Sequence, residues 1–258
     1  MSGVLVTALQ LPDSCRVEKR VFKKLFLENA KLTPPDRRAF TNDVEEVVWE
    51  YTLKPSTIAI MPYADDEREY DEIAVLEVAL KAPKNASRIA EVIHRAIPYL
   101  LVLVLRCEGR ELLSLAPKRF SRSEKGATVA EEFVGTGWLD TGSLSETECQ
   151  FVGSIALRNL PQVNYESLYS ALMGRVVALR SSCRTGEYHV HSDRDRLAEQ
   201  RSLLAEADAL EGQITECRTA LKRESQFNRK VELNTRIKQL DERLLEVAKR
   251  LAPPRNGA

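Results

Sequence analysis

The sequence predicts an α/β (α+β) protein, with a mixed sheet flanked by helices and then a C-terminal antiparallel helical hairpin, or coiled coil. Helical and strand-like patterns interleave over residues 1–185, which predicts the first domain. Residues 193–251 contain no proline and a single glycine, and their apolar residues recur at heptad spacing, which predicts the hairpin. We expect a linker at 186–192 and a disordered tail at 252–258.

Four helices are expected in the first domain. Residues 1–12 look poorly ordered or strand-like, and apolar residues at i, i+4 spacing then predict a helix over 16–29. Two prolines and an acid after Thr33 are a strong helix start, and this second helix is expected to continue to about residue 51. The last two helices are expected at 85–96 and from Asn164, as the cap, to 180.

Short apolar segments predict the strands of the sheet. One of them alternates, and another is continuously apolar, as expected for a central strand covered on both faces. A tight turn at 108–110 predicts a hairpin that follows the central strand. The six expected strands lie at 57–61, 73–81, 99–106, 111–116, 129–138 and 150–157.

The C-terminal region has two apolar registers that do not join. Leu221 ends the first register and Leu233 begins the second, and their separation of 12 residues is not a sum of heptad steps. We therefore favour a turn at 225–228 and an antiparallel hairpin. One continuous helix in a homodimer is the alternative, because the turn lacks glycine and proline.

The composition limits the function classes. The 258 residues contain 38 Lys plus Arg and 38 Asp plus Glu, and this zero net charge argues against a sequence-independent nucleic-acid coat. The five scattered cysteines indicate a reduced, cytoplasmic compartment. The longest apolar run, 97–105, is too short to span a membrane, and no motif indicates a cofactor.

Two patterns suggest metal chemistry. A restriction-type nuclease core needs carboxylates and a lysine around one metal ion, and Asp71, Glu77 and Lys81 are the candidates for that catalysis. Their spacing is wrong for the usual pair, because Glu77 and Lys81 would lie roughly 13 Å apart along a strand. A second cluster pairs His189 and His191 of the expected linker with Asp193 and Asp195. Such a site needs further histidines, and only His94 remains, so a solvated linker is the favoured interpretation.

Two surfaces are candidates for binding. On the first expected helix, five cations at i, i+3, i+4, i+7 and i+8 form a basic stripe that could contact DNA phosphates: Arg16, Lys19, Arg20, Lys23 and Lys24. In the hairpin, the apolar residues could bind a partner: Leu210, Ile214, Leu221, Phe227, Leu233, Ile237, Leu240 and Leu244.

Several segments resemble a bacterial family catalogued as domain of unknown function 4391. The most specific is Lys222–Asn234, and the others agree with it in order and spacing. The resemblance implies no established activity. It does imply an accessory component of mobile, defence-type gene clusters that also encode Swi/Snf-like helicases and DNA methyltransferases. The other matching segments are 17–20, 22–24, 44–51, 53–58, 75–81 and 96–99.

These observations favour a non-catalytic accessory or scaffold subunit of a bacterial anti-phage or restriction-like complex. Its expected partners are a Swi/Snf-like helicase or a DNA methyltransferase, with DNA as a further ligand and no membrane. A divergent metal-dependent nuclease and a stand-alone dimeric DNA-binding protein are the alternatives.

Overall fold

The computed structural model describes residues 2–29, 32–122, 127–191 and 193–252. The chain divides into two compact units, and the boundary falls between Val176 and Val177, inside a long helix. The eight helices of the described chain are α1 (Val4–Ala8), α2 (Lys23–Asn29), α3 (Pro34–Asp43), α4 (Ala86–Ala96), α5 (Glu146–Ser154), α6 (Tyr165–Thr185), α7 (Arg194–Arg223) and α8 (Phe227–Leu251).

The first unit is organised by a mixed, seven-stranded sheet in the order β1-β2-β5-β6-β7-β10, with β11 also paired to β7. β5 and β6 run parallel, and the other neighbours are antiparallel. Two small sheets, β3-β4 and β8-β9, complete the unit. The strands are β1 (Arg16–Arg20), β2 (Val44–Leu53), β3 (Tyr63–Ala64), β4 (Glu69–Tyr70), β5 (Ile73–Leu80), β6 (Leu100–Cys107), β7 (Arg110–Leu115), β8 (Lys118–Phe120), β9 (Thr128–Ala130), β10 (Val134–Gly135) and β11 (Leu139–Asp140).

Helices cover both faces of this sheet. On one face, α2, α3 and α4 enclose an apolar core with residues such as Phe40, Ile89 and Leu103, all fully buried. On the other face, Leu9, Ile155 and apolar residues of α6 such as Leu168 surround Ile73, Val75 and Val102 of the central strands. The parallel pair β5-β6 is therefore buried on both sides, as parallel strands usually are.

The central elements confirm the expected fold class. β5, β6, β7, α4 and α6 lie where the sequence predicts them, within a few residues. α6 is capped by Asn164, whose side-chain oxygen accepts a hydrogen bond from the amide of Ser167 at 2.8 Å. Glu108 and Gly109 both have positive φ, which fits the predicted two-residue turn between β6 and β7.

Two expected helices near the N-terminus were wrong. Residues 16–20 form the edge strand β1, and α2 begins only at Lys23. The helix that starts at Thr33 ends at Asp43, and the next ten residues form β2. The start itself was right, because Thr33 and Asp36 form a capping box that encloses the two prolines.

Other local expectations were also wrong. Residues 150–157, expected as a strand, belong largely to α5, which begins with a capping box between Ser145 and Glu148. Residues 57–61 form turns with one isolated bridge rather than a strand. The segment 129–138 contains only short strands. The lead over residues 1–12 contains α1, whose Leu5 and Val6 are buried.

The second unit contains the expected helical hairpin. α7 begins after Asp193, which caps it, and a turn over 224–226 separates α7 from α8. Arg243 pairs with Glu206 at 2.7 Å, which fits an antiparallel arrangement of the two helices. The alternative of one continuous helix was therefore wrong. The expected tail at 252–258 lies outside the described residues, apart from residue 252.

Among the described residues, no helix combines the length and the apolar character that crossing a bilayer requires.

Candidate functional site

Three glutamates from three different strands occupy one face of the central sheet. Glu50 lies on β2, Glu77 on β5 and Glu111 on β7, and each is less than a tenth exposed. Glutamate is almost never this buried unless its charge is satisfied by partners. This group, called here the glutamate cluster, is the most unusual polar feature of the first unit.

Strand register explains why the cluster forms. Arg106 on β6 lies opposite Ala79 of β5 on one side and Glu111 of β7 on the other. Glu77 is two residues before Ala79, so its side chain is on the same face and diagonal to Arg106. Glu50 has no partner in the β2-β5 register, because it is the extra residue at an irregularity between Trp49 and Tyr51.

The start of α1 occupies the cluster. The amide of Gly3 donates to Glu77 at 2.6 Å, and the amides of Val4 and Leu5 donate to the two oxygens of Glu111, each at 2.8 Å. The hydroxyl of Ser2 donates to Glu50 at 3.2 Å. The first amides of a helix have no partner within the helix, and the glutamates supply the missing acceptors.

Arg106 brings a positive charge to the cluster. Its Nε atom lies 2.8 Å from a carboxylate oxygen of Glu77, an ion pair whose angle falls short of a hydrogen bond. Burial raises the pKa of Glu77, while the Gly3 amide and Arg106 lower it, and Glu50 and Glu111 raise it further. Burial and the neighbouring glutamates therefore favour the protonated form of Glu77, whereas the Gly3 amide and Arg106 favour its carboxylate.

An open cleft of about 480 Å³ adjoins the cluster. Its lining includes Gly3, Glu111 and Arg106 of the cluster region, together with Arg20 of β1 and Arg110 of β7. Both positive and negative side chains line it. Small polar ligands could enter this cleft without displacing the apolar core.

The predicted nuclease residues do not form a site. Glu77 is buried in the middle of β5, but Asp71 precedes the strand and Lys81 follows it, and both are exposed. At roughly 3.3 Å per residue, Asp71 and Lys81 are held on the order of 30 Å apart along the chain. The structure brings Glu77 together with Glu50 and Glu111 instead.

The basic stripe does not exist as one helix face. Three of its cations, Arg16, Lys19 and Arg20, lie on the exposed edge strand β1, and only Lys23 and Lys24 lie on α2. Lys23 donates to the carbonyl of Val44 at 2.7 Å, and most of the others lie near carboxylates. Charges on an edge strand discourage its pairing with another chain. This role accounts for the cations of β1 without a DNA ligand.

Most of the predicted partner-binding residues form the seam between α7 and α8. Leu210 and Ile214 are buried. Phe227 is the exception, because it is 77% exposed at the turn. The periodicity therefore identified the intramolecular interface between the two helices, and the binding of a partner by these residues stays a prediction. The half-buried ones are Leu221, Leu233, Ile237, Leu240 and Leu244.

The histidine cluster has no metal-binding geometry. His189 and His191 stack edge to face with ring centroids 4.6 Å apart. Within the described chain, no three His, Cys, Asp or Glu side chains are placed to hold a metal ion. This holds also for Asp193 and Asp195. Asp193 instead caps α7.

A second buried polar group lies between α4 and β7. His94 is fully buried, and its Nε2 atom is 3.1 Å from the hydroxyl of Ser114. The amine of Lys118, also buried, donates to the His94 carbonyl. Burial lowers the pKa of His94 to about 3 and that of Lys118 to about 8. This group lines neither the cleft beside the glutamate cluster nor the apolar cavity around Ile73 and Val102, and we interpret it as structural.

Sequence reasoning missed Glu50, Arg106 and Glu111. Glu50 was hidden in an expected helix, and Glu111 looked like the polar start of a hairpin strand. One signal was available, because Glu77 interrupts an otherwise apolar strand that was expected to be buried. A charge at such a position needs partners on adjacent strands.

The fold and the cluster define a mixed α/β protein whose sheet carboxylates hold its own N-terminal helix and whose C-terminal helices form a hairpin. A family profile described as a domain of unknown function (DUF4391) matches residues 9–244. The chain belongs to this family. No curated protein and no solved structure shows a significant match.

Proposed function

We propose that this chain is a non-catalytic accessory subunit of a bacterial, cytoplasmic DNA-processing complex of the anti-phage or restriction-like kind. It binds a Swi/Snf-like helicase or a DNA methyltransferase, and DNA held by that complex is a further ligand. The observation that supports a binding role best is the state of the glutamate cluster. Its members Glu77 and Glu111 already accept hydrogen bonds from the main chain.

A metal-dependent hydrolase directs such carboxylates at an ion and keeps an open position for water or substrate. Here the carboxylates stabilise a buried segment of the fold. The hairpin supports the same proposal, because its exposed tip is separate from its apolar seam and can contact another molecule while the unit stays folded.

Affinity purification from a native bacterial host tests the proposal. The tagged full chain is expected to retain a helicase or a methyltransferase encoded near its own gene, as identified by mass spectrometry. A chain with three exposed substitutions outside the basic stripe and outside the hairpin serves as the folding control. Recovery of the tagged chain without such a partner would contradict the proposal.

A divergent metal-dependent nuclease is the second candidate, favoured by one observation. Three carboxylates share a sheet face beside an open cleft, and displacement of α1 would free them. Incubation with plasmid and Mg²⁺ or Mn²⁺ separates the two functions. Cleavage that persists in Lys81→Ala and disappears in Glu77→Gln would favour the nuclease, since Lys81 lies outside the cluster.

A further inference from the structure

The tip of the helical hairpin differs in charge from its base. Residues 218–238 contain seven Lys or Arg and two Asp or Glu, a net charge of +5. The rest of the hairpin, 193–217 and 239–251, contains six Lys or Arg and ten Asp or Glu, a net charge of −4. The neutral total of the chain therefore conceals a basic region at one end of this unit.

Two cations of α8 near the base pair with carboxylates of α7, whereas several cations at the tip have no such partner. Arg243 and Arg250 pair with glutamates of α7 at 2.7 and 3.6 Å. At the tip, no carboxylate of the described chain lies within ion-pair distance of Lys222, Arg223 or Lys230, and all three are exposed. These three side chains are available for an external anion.

The one carboxylate in the turn stabilises the turn itself. Glu224 accepts hydrogen bonds from the amides of Ser225 and Gln226, each at 2.8 Å, and lies 3.9 Å from Arg229. The hydrogen bonds from these two amides are the main cause of its lowered pKa. The carboxylate therefore stays ionised and stabilises the start of α8. Glu224 therefore fixes the geometry of the tip, and it is one negative charge among four Lys or Arg over residues 222–230, so the tip stays basic.

An aromatic ring lies among these cations. Phe227 is 77% exposed, although an exposed phenyl ring contributes little to folding. Lys230 follows it by three residues and Val231 by four, so both are its neighbours on the surface of α8. An exposed ring next to a cation without an ion-pair partner is the combination that binds single-stranded nucleic acid, where bases stack on aromatics and phosphates contact Lys and Arg.

We propose that the tip of the hairpin, comprising Lys222, Arg223, Phe227 and Lys230, binds nucleic acid with unpaired bases. The cations contact the phosphates, and Phe227 stacks on an exposed base. An acidic protein surface would satisfy the cations equally well but would leave the ring without a matching partner. The inference does not depend on the accessory-subunit proposal, because it concerns one surface of the isolated chain.

Fluorescence anisotropy with the full-length protein tests this inference. The probes are an oligothymidylate of about 20 nucleotides, longer than typical single-strand site sizes, and a blunt duplex of equal length. The triple variant Lys222→Glu, Arg223→Glu, Lys230→Glu is expected to bind the oligothymidylate at least about tenfold more weakly. Its salt-dependence slope should fall by about 2, because each lost phosphate contact removes roughly 0.7.

Two comparisons make the test specific. Phe227→Ala is expected to weaken binding of the single strand about tenfold and binding of the duplex much less, whereas Val231→Ala should change neither. The charge-matched control Lys54→Glu, Lys84→Glu, Lys249→Glu reverses three exposed cations elsewhere and should bind with wild-type affinity.

Three results would overturn the inference. They are no binding by the wild type, equal weakening in the charge-matched control, and competition by polyglutamate as effective as competition by DNA. The last result would assign the tip to an acidic protein partner. A normal pull-down with a failed binding test would reject this inference alone, and the reverse would reject only the accessory-subunit proposal.

Discussion

Gly3 shows how closely a single residue is fitted to the glutamate cluster. A Cβ atom at this position would lie 2.5 Å from Oε1 of Glu111, closer than such atoms approach. The Glu111 carboxylate is buried and already accepts the amides of Val4 and Leu5, so it cannot move without losing those bonds. The absence of a side chain at Gly3 is therefore required for α1 to dock.

This fit predicts the effect of Gly3→Val. The substitution is expected to lower the free energy of unfolding by about 1–3 kcal/mol, because it leaves buried hydrogen-bonding groups unpaired. Urea denaturation followed by circular dichroism measures the change. Gly153→Ala is the matched control, since no atom lies within 4 Å of a Cβ there, and it should leave stability unchanged or higher. Equal stability of both variants would contradict the docking of α1.

His94 predicts how stability depends on pH. Its folded-state pKa is about 3, against an ordinary value of 6.5, mainly because of burial and also because Lys118 is close. The unfolded chain therefore binds a proton below pH 6.5 that the folded chain does not. The stability due to neutral His94 is complete above pH 6.5 and is lost as the pH falls toward 3.

The expected loss from this one group is about 2 kcal/mol between pH 8 and pH 5. Urea denaturation of the wild type and of His94→Gln across this range isolates it, because glutamine can still bond Ser114 but does not titrate. The difference in stability between the two proteins should shrink as the pH falls. A difference that stays constant would show that His94 titrates normally in the folded protein.

At the scale of elements, β2 explains why part of the fold could not be predicted. Its register is interrupted near Glu45 and at Glu50, so its buried residues include positions 44, 47 and 50. A regular strand buries alternate residues, whereas these steps of three imitate a helix. Bulges depend on the neighbouring strand, and no local pattern reveals them.

Other elements were predictable, and one signal was overlooked. The apolar segments of β5 and β6 and the heptads of α7 and α8 identified their elements, because burial alone determines those patterns. The serine and glutamate that cap α5 were also visible in the sequence as a capping box. The glutamate cluster was not, because it depends on pairing between strands distant in the sequence.

The hairpin seam predicts a sharp contrast between two leucines. Leu210 is 4% exposed in the seam, and Leu245 is 57% exposed on α8. Leu210→Ala is expected to destabilise the hairpin by about 2–5 kcal/mol, and Leu245→Ala by less than about 0.5 kcal/mol. Hydrogen exchange of the α7 and α8 amides measures each effect locally. Similar protection losses in the two variants would contradict the assigned seam.

At the scale of the whole molecule, the two units have different chemical roles. The first unit uses its buried polar groups to stabilise its own fold, since the glutamate cluster holds α1 and His94 bonds Ser114. The second unit leaves an aromatic ring and several cations exposed at the hairpin tip. We expect a binding protein to combine such features: buried polar groups that bond within the fold, and exposed groups that are free to contact a ligand.

The glutamate cluster provides the most direct test of a binding rather than a catalytic role. Thermal unfolding of the full chain is measured with and without Mn²⁺, for the wild type and for Glu77→Gln. We expect the wild-type midpoint to shift by less than about 1 °C, because the carboxylates already hold α1. A metal-dependent rise of about 5 °C or more that Glu77→Gln abolishes would identify a metal site and contradict the binding role.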